Sequence, residues 1–319
     1  MFFFAHDEYR DEVVDTCIAY RLKSASDNPC FGCSRLTLRL LLQKAEDLEA
    51  DFISTGHYAK VHFSQTSKSF FLNAANEMTS DQSFLLANVA QNILSKLILP
   101  LGDLRKVEVQ KIAERQGWTC PTPDESDRCL KNKNFNEYMI EVVPKSLIKE
   151  GNVVFYQDDL TIGTHEGLHL QTFGEKLNGS LYPTTPSGDY VVVDINRYKG
   201  DVYVEKRENI FCKRIFLNDI KLRKTAVRTK PKQIIIKIEK SPITYSAIIH
   251  FKNNNSCLII LSKKINKLFP SGTNVTIYEE LIGGKLSVLG SGRVKYEAKF
   301  LEISNSPNNS ETKVADFVF

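Results

Sequence analysis

The hydrophobic period of this chain changes near Gly151, and that change limits the fold more than any other feature. Upstream, apolar residues recur at helical spacing. Downstream, short runs of Val, Ile and Tyr alternate with turns rich in Gly, Pro and Asn. Residues 7–24 carry Tyr9, Val13, Cys17 and Tyr20 to Leu22 on one helical face, and a second helix runs to about Glu49. Asp51-Phe52-Ile53-Ser54 then reads as a short buried strand ending in Thr55-Gly56-His57-Tyr58-Ala59. Helix, strand and a small polar turn make the rhythm of an α/β sheet, whose ligands gather at the carboxyl ends of strands. Gly56 is placed where a backbone can approach a ligand closely. His57 stands at the same strand end, as a structural histidine or a functional one.

Asp81-Gln82-Ser83 opens an apolar helical stretch through Leu99, with Ser80 or Asp81 as its N-cap. Lys106 to Gln116 is a helix with Gly117 as its stop, and Cys120 to Asn134 is a polar loop with two prolines. Val153 to Phe155, Leu160 to Ile162, Leu168 to Phe173 and Tyr190 to Val193 are strands of a small β-rich domain. From Phe211 onward, Ile234 to Ile238, Tyr245 to Phe251, Cys257 to Leu261, Asn274 to Tyr278 and Val288 to Val294 predict a compact β-barrel. The expected division is an α/β domain over 1–147, a central β-rich domain over 148–208, a C-terminal barrel over 209–303 and a disordered tail over 304–319.

A chain of 319 residues accommodates two or three domains at about 100–200 residues each. No apolar run approaches the roughly 18 residues a membrane span needs, and Met1-Phe2-Phe3-Phe4-Ala5 runs too soon into His6-Asp7-Glu8 for a signal peptide. Seven cysteines, odd in number and scattered, argue for reduced thiols inside a cell rather than a secreted disulfide framework. The net charge of +4 is modest, but Lys221, Arg223, Lys224, Arg228, Lys230 and Lys232 crowd one short region. Such a cluster suits RNA, and equally suits a strand edge kept from aggregating by lysines.

The chemistry-bearing stretch is Asn28-Pro29-Cys30-Phe31-Gly32-Cys33. Pro29 biases Asn28 away from helix and Gly32 takes unusual backbone angles, so an ordered loop is expected here. A helix follows through Leu36, Leu40 and Gln43-Lys44-Ala45, which puts Cys33 at or near its N-terminus. The helix dipole and unpaired N–H groups there favour a thiolate, and Arg35 and Arg39 add positive charge. A Cys-x-x-Cys pair is also compatible with a metal half-site, a redox pair or two ordinary small residues.

Taken together, several segments resemble the tRNA-specific 2-thiouridylase family, a PP-loop ATP pyrophosphatase type, over nearly the whole chain. Asn28-Pro29-Cys30-Phe31-Gly32-Cys33-Ser34, Ser54-Thr55-Gly56-His57-Tyr58-Ala59, Asp81-Gln82-Ser83-Phe84-Leu85-Leu86 and Leu99-Pro100-Leu101-Gly102-Asp103-Leu104 are similar to family segments in the same order. So are Ile162-Gly163-Thr164-His165-Glu166-Gly167-Leu168, Gln171-Thr172-Phe173-Gly174-Glu175-Lys176 and Val288-Leu289-Gly290-Ser291-Gly292.

The resemblance implies a partial PP-loop domain, like the adenine nucleotide α-hydrolases, followed by the two β domains. It implies a monomeric enzyme of the cytoplasm, or alternatively of the mitochondrial matrix, that replaces O2 of a tRNA wobble uridine with sulfur. ATP and Mg2+ adenylate that oxygen, and a donor protein supplies the sulfur as a persulfide. The resemblance puts the persulfide on Cys129 and makes Cys33 the nucleophile that frees the sulfur or closes a disulfide with Cys129. It puts Gly56 against the nucleotide and Asn28, Pro29 and Cys30 around the flipped uridine. His57, Asp81, Gln82 and Arg228 then touch tRNA.

The chain departs from the family in places. No Ser-Gly-Gly-x-Asp-Ser segment occurs in it, so the expectation is an N-terminally shortened domain, either a fragment of an enzyme or a tRNA-binding relative that does not activate uridine. Glu125-Ser126-Asp127-Arg128-Cys129 is one residue shorter than the family spacing. Ser80, Thr229 and Thr273 stand where the family has Lys, Tyr and Gln.

Overall fold

The computed structural model describes residues 6–23, 25, 28–118, 135–223, 231–239, 241, 243–295 and 302–303. Expectations for Cys129, Arg228 and the tail from 304 lie outside those residues.

The chain opens with α1 (His6–Tyr9), a π-helical turn (Arg10–Val14) and α2 (Asp15–Leu22), which bury Val13 and Cys17. Then comes α3 (Pro29–Asp47), and here the sequence expectation fails. The segment from Pro29 to Cys33 is not a loop but the start of the helix. Proline's missing N–H and fixed φ suit the first helical position, and Asn28 caps it from extended backbone, at φ −95° and ψ 113°.

The α/β layer is small. The strand β1 (Ile53–Ser54) pairs in parallel with β4 (Leu97–Ile98), Ile53 opposite Leu97. Between them lies an antiparallel hairpin, β2 (Ala59–Ser64) and β3 (Ser69–Ala74), that the sequence reading did not find. The single helix expected from Asp81 to Leu99 is instead two one-turn helices, α4 (Ser83–Leu86) and α5 (Gln91–Leu94), followed by β4. The helix α6 (Lys106–Arg115) forms as expected, with Gly117 at φ +72° beyond its end. Among the described residues the last α-helix is α7 (Phe135–Val142).

A five-stranded sheet follows in the order β7-β6-β5-β9-β8, from β5 (Gly151–Phe155), β6 (Thr161–His165), β7 (Ser180–Leu181), β8 (Tyr190–Asn196) and β9 (Asp201–Lys206). Val153, Val192, Val202 and Val204 are fully buried in its core. Leu168 to Leu170, expected as a strand, is a 3-10 turn.

The strands β10 (Ile210–Leu222), β11 (Lys232–Ile238), β12 (Thr244–Phe251), β13 (Cys257–Ile265), β14 (Asn274–Glu280) and β15 (Leu286–Val294) pair in the order β10-β13-β12-β11-β14-β15. Because β10 also pairs with β15, Leu217 opposite Val294, this part of the sheet closes into a six-stranded barrel. A short β16 (Glu302–Ile303) adds to β10. Ile234, Ile236, Ile238, Ile249, Ile259, Leu261 and Ile277 fill the interior.

The barrel wall does not end at its own strands. Asn73 of β3 pairs with Ser287 of β15, so the hairpin continues the sheet outward. On the outer face Tyr278 and Val288 pack into the N-terminal core with Leu38, Ile53, Ala59, Leu72, Leu86 and Leu97. Side chains of a strand alternate between faces, so Ile234 and Ile236 point into the barrel while Ile235 packs against the N-terminal core. Wall strands covered on both sides read as unbroken apolar runs for this reason.

Candidate functional site

The N-terminus of α3 carries the two candidate thiols. The Asn28 side-chain oxygen accepts the N–H of Cys30 at 3.0 Å, and the Phe31 N–H donates to the Asn28 carbonyl at 3.1 Å. Cys30 and Cys33 are half-buried cysteines in the first five residues of this helix. Gly32 sets how closely the helix packs, since a Cβ there would stand 3.1 Å from the Glu12 carbonyl. Of the two arginines expected to add positive charge, Arg39 is paired with Glu12 at 2.5 Å and Arg35 is exposed.

The end of β1 lies directly beside this turn. His57 Nδ1 is 2.9 Å from the Thr55 hydroxyl, and Nε2 is 3.4 Å from the hydroxyl of Ser34, the residue after Cys33. Burial holds the His57 imidazole below its usual pKa. It is therefore neutral near pH 7, able to donate at one nitrogen and accept at the other. Gly56 is exposed, and a Cβ there would meet only Leu101, at 3.8 Å. Protein packing leaves that face open to a ligand.

The Asp81-Gln82-Ser83 segment closes a third side. Gln82 grips the residue after His57 twice: its N–H donates to the Tyr58 carbonyl at 2.8 Å, and its side-chain oxygen accepts the Tyr58 N–H at 3.0 Å. Phe84 meets Phe31 edge to face, with ring centroids 5.8 Å apart. Asp81 is different, because it points inward and is 3% exposed. Its Oδ1 accepts the N–H groups of Ala75 at 3.0 Å and Ser83 at 3.2 Å. Its Oδ2 accepts the Ser83 hydroxyl at 3.0 Å and the Lys237 ammonium at 2.8 Å. Bonds within the chain thus occupy this carboxylate, expected from the sequence to face tRNA.

The structure accordingly gathers Asn28, Pro29, Cys30, Cys33, Gly56, His57 and Gln82 at one corner, where a strand end meets a helix start. Asp81 stands behind them, and Cys129 and Arg228 lie outside the described residues. Sequence reasoning missed Lys237, a lysine 2% exposed in the run Ile234-Ile235-Ile236-Lys237-Ile238. A charge inside an otherwise apolar strand was the available signal.

The basic region is partly neutralised. Arg223 and Lys232 both pair with Glu279, the latter at 2.8 Å, and the Arg223 guanidinium lies over the Phe71 ring at 4.7 Å. Among the described residues no cluster of His, Cys, Asp and Glu has the arrangement to hold a metal ion, and no helix is long and apolar enough to cross a membrane.

Residues 2–132 match the family model described as the tRNA methyl transferase HUP domain, and the N-terminal α/β region is accordingly of that PP-loop-like class. The chain is 29% identical over 293 residues to the tRNA-specific 2-thiouridylase MnmA of Halothermothrix orenii, covering 90% of this chain and 78% of that protein. Its counterpart in Natranaerobius thermophilus is 27% identical over 283 residues, covering 87% and 75%. That of Clostridioides difficile is 25% identical over 280 residues, covering 86% and 76%.

Proposed function

From a similarity to tRNA-specific 2-thiouridylases that spans 90% of the chain, we propose that this protein takes part in sulfur transfer to position 2 of a tRNA wobble uridine. The observation that carries the reading is the convergence of Cys30 and Cys33, on the first turns of α3, with the His57 strand end and Gln82. Two adjacent thiols suit sulfur transfer better than the methyl transfer in the family model's description, since a thiolate both carries and attacks sulfur.

In this reading tRNA presents a flipped uridine, which costs a few kcal/mol of unstacking offset by pocket contacts. Asn28, Pro29 and Cys30 line the base, and His57 and Gln82 touch the tRNA with Arg228. The terminal sulfur of a Cys129 persulfide attacks C2 of the activated base, and the activated oxygen departs. Cys33 as thiolate then attacks the Cys129 sulfur, so the Cys33–Cys129 bond forms while the persulfide sulfur–sulfur bond breaks and its electron pair leaves with the sulfur now on C2. The products are the thiocarbonyl and a Cys33–Cys129 disulfide, which a donor thiol must reduce before the next cycle.

ATP with Mg2+ supplies the activation of the oxygen in the family's chemistry. Gly56 fits the approach of a nucleotide, because nothing of the protein fills the space over it. No glycine-rich loop that would cradle phosphates is found among the described residues, so no step is assigned to residues around that group. The second reading is a tRNA-binding relative that does not itself thiolate.

One experiment separates the two. Unmodified tRNA is incubated with the chain, ATP, Mg2+ and a persulfide donor, and its nucleosides are measured by mass spectrometry. Formation of 2-thiouridine that falls below about a hundredth in Cys33→Ser supports the enzyme. No product, with salt-sensitive tRNA binding retained, supports the binding relative. Product formation unaffected by Cys33→Ser overturns the assignment of Cys33.

A further inference from the structure

The barrel contributes a residue to this corner from behind. Lys237 lies on β11, and its ammonium crosses the seam into the N-terminal region. There it donates to Asp81 Oδ2 at 2.8 Å and to the carbonyls of Asp81 at 3.0 Å and Met78 at 3.3 Å. Those three acceptors match the three protons of a lysine ammonium. The side chains of the pair are 3% and 0% exposed. Tyr278 of β14 completes the cluster with its hydroxyl 2.9 Å from that of Ser83 and 3.4 Å from Asp81 Oδ2, and burial together with the Asp81 charge pushes its pKa well above the usual phenol value.

Two routes lead from this cluster to the thiols. Along the first, Asp81 is followed by Gln82, which grips Tyr58 twice, and Tyr58 follows His57, whose Nε2 meets Ser34 beside Cys33. Along the second, the Lys237 ammonium lies 5.5 Å from the centre of the Phe84 ring, and Phe84 packs edge-on against Phe31, between the two cysteines. Both routes end on the first turns of α3. A buried ion pair is by itself weak evidence for stability, and here the carboxylate also holds the N–H groups of Ala75 and Ser83, so the pair fixes the geometry of this turn.

We propose that Lys237 is a positioning residue: from the barrel it fixes the Asp81–Phe84 turn, and through it both His57 and the Cys30–Cys33 turn. The proposal deepens the function argued above, because it rests on that corner being where the uridine is held. Docking of the barrel and geometry of the thiols are then one event. A barrel displaced by binding tRNA would be felt at the cysteines without any direct contact.

The test compares the full chain with the double variant Lys237→Met/Asp81→Asn, which removes both charges together and leaves no unpaired ion. Three quantities are read: the melting temperature and, well below it, the rates of iodoacetamide alkylation of Cys30 and Cys33 by peptide mass spectrometry and the dissociation constant for unmodified tRNA. A positioning role predicts a melting temperature within a few degrees of wild type, alkylation of at least one of the two thiols altered about threefold or more, and tRNA binding weakened about tenfold. A folded double variant with wild-type alkylation and wild-type tRNA binding overturns the proposal and leaves Lys237 a structural residue.

Should the double variant not fold, Phe84→Leu carries the test. It cuts the ring contact with Phe31 while leaving the ion pair, and a ratio of Cys30 to Cys33 alkylation unchanged from wild type overturns the proposal. Alkylation needs no tRNA. A chain that fails to bind tRNA at all therefore counts against the proposed function while the thiol rates still decide the role of Lys237.

Discussion

The barrel and the α/β corner it abuts are built on opposite plans. The barrel closes on itself through β10 and β15, and its interior is filled mainly by its own strands, with Ile236, Ile249 and Ile259 almost wholly buried and Val191 and Val193 of β8 joining the same cluster. The corner has two-residue strands and one-turn helices, and its core is incomplete without Tyr278 and Val288 of the barrel wall. Closure gives one region an interior of its own. The other borrows a wall, and the residues with chemistry stand in the borrowing region, where short elements leave polar groups room to face a ligand.

The sharpest way to break this contrast is to separate the regions. Residues 209–303 expressed alone are expected to fold and melt cooperatively by circular dichroism, while 1–147 alone gives no cooperative transition. A cooperative 1–147 would mean that the borrowed wall is dispensable. A smaller effect is expected at the cap of α3. Asn28→Ala removes the acceptor for the Cys30 N–H and is predicted to cost about 1 kcal/mol in denaturant unfolding. The same change should leave the barrel's transition in place if the regions unfold separately.

The smallest effect is that of pH. Burial lowers the pKa values of His57, His165 and His169 in the folded chain, so the unfolded chain binds protons more readily. Stability from these groups is complete above the unfolded value of about 6.5 and is lost as pH falls from there through the lowered folded values. The melting temperature is expected to drop between pH 7 and pH 5, and less steeply in His57→Gln. An identical slope in that variant would mean that His57 titrates as if exposed.

The same contrast explains what the sequence revealed. Barrel strands were legible because β-branched residues recur in runs between turn residues, and β11 to β15 all appear near their expected places. The corner was harder. Pro29 holds Asn28 away from helix as the sequence suggests, but with Gly32 it argues for a loop, whereas Pro29 stands at the first helical position and starts α3. The hairpin β2–β3 escaped because its outer strand is half exposed and weakly apolar, and it becomes a strand pair by joining the barrel wall. The apolar run to Leu99 looked helical, but Leu97 and Ile98 are claimed by β1 in parallel pairing, a long-range partner that local periodicity does not carry. The resemblance implies Cys33 as nucleophile and His57, Gln82 and Asp81 against tRNA; the structure brings the first three to one corner, whereas the Asp81 carboxylate turns inward to Lys237.

The chain reaches the corner from one sheet and leaves it into another: β1 belongs to the parallel pair, and after Thr55 to Tyr58 the strand β2 joins the hairpin attached to the barrel wall. Those four residues are thus a torsion link between two bodies. A twist of the barrel against the α/β layer would reach this link as well as the Lys237 tether, the Asn73–Ser287 pairing and the packing of Tyr278 and Val288. Gly102 stiffens the link from the side, since a Cβ at that position would overlap the Ala59 carbonyl, and its own carbonyl accepts the N–H of Asn76 at 3.0 Å. Strain between the two bodies would therefore be felt at the peptide planes around His57, whose ring nitrogens stand 2.9 Å from Thr55 and 3.4 Å from Ser34.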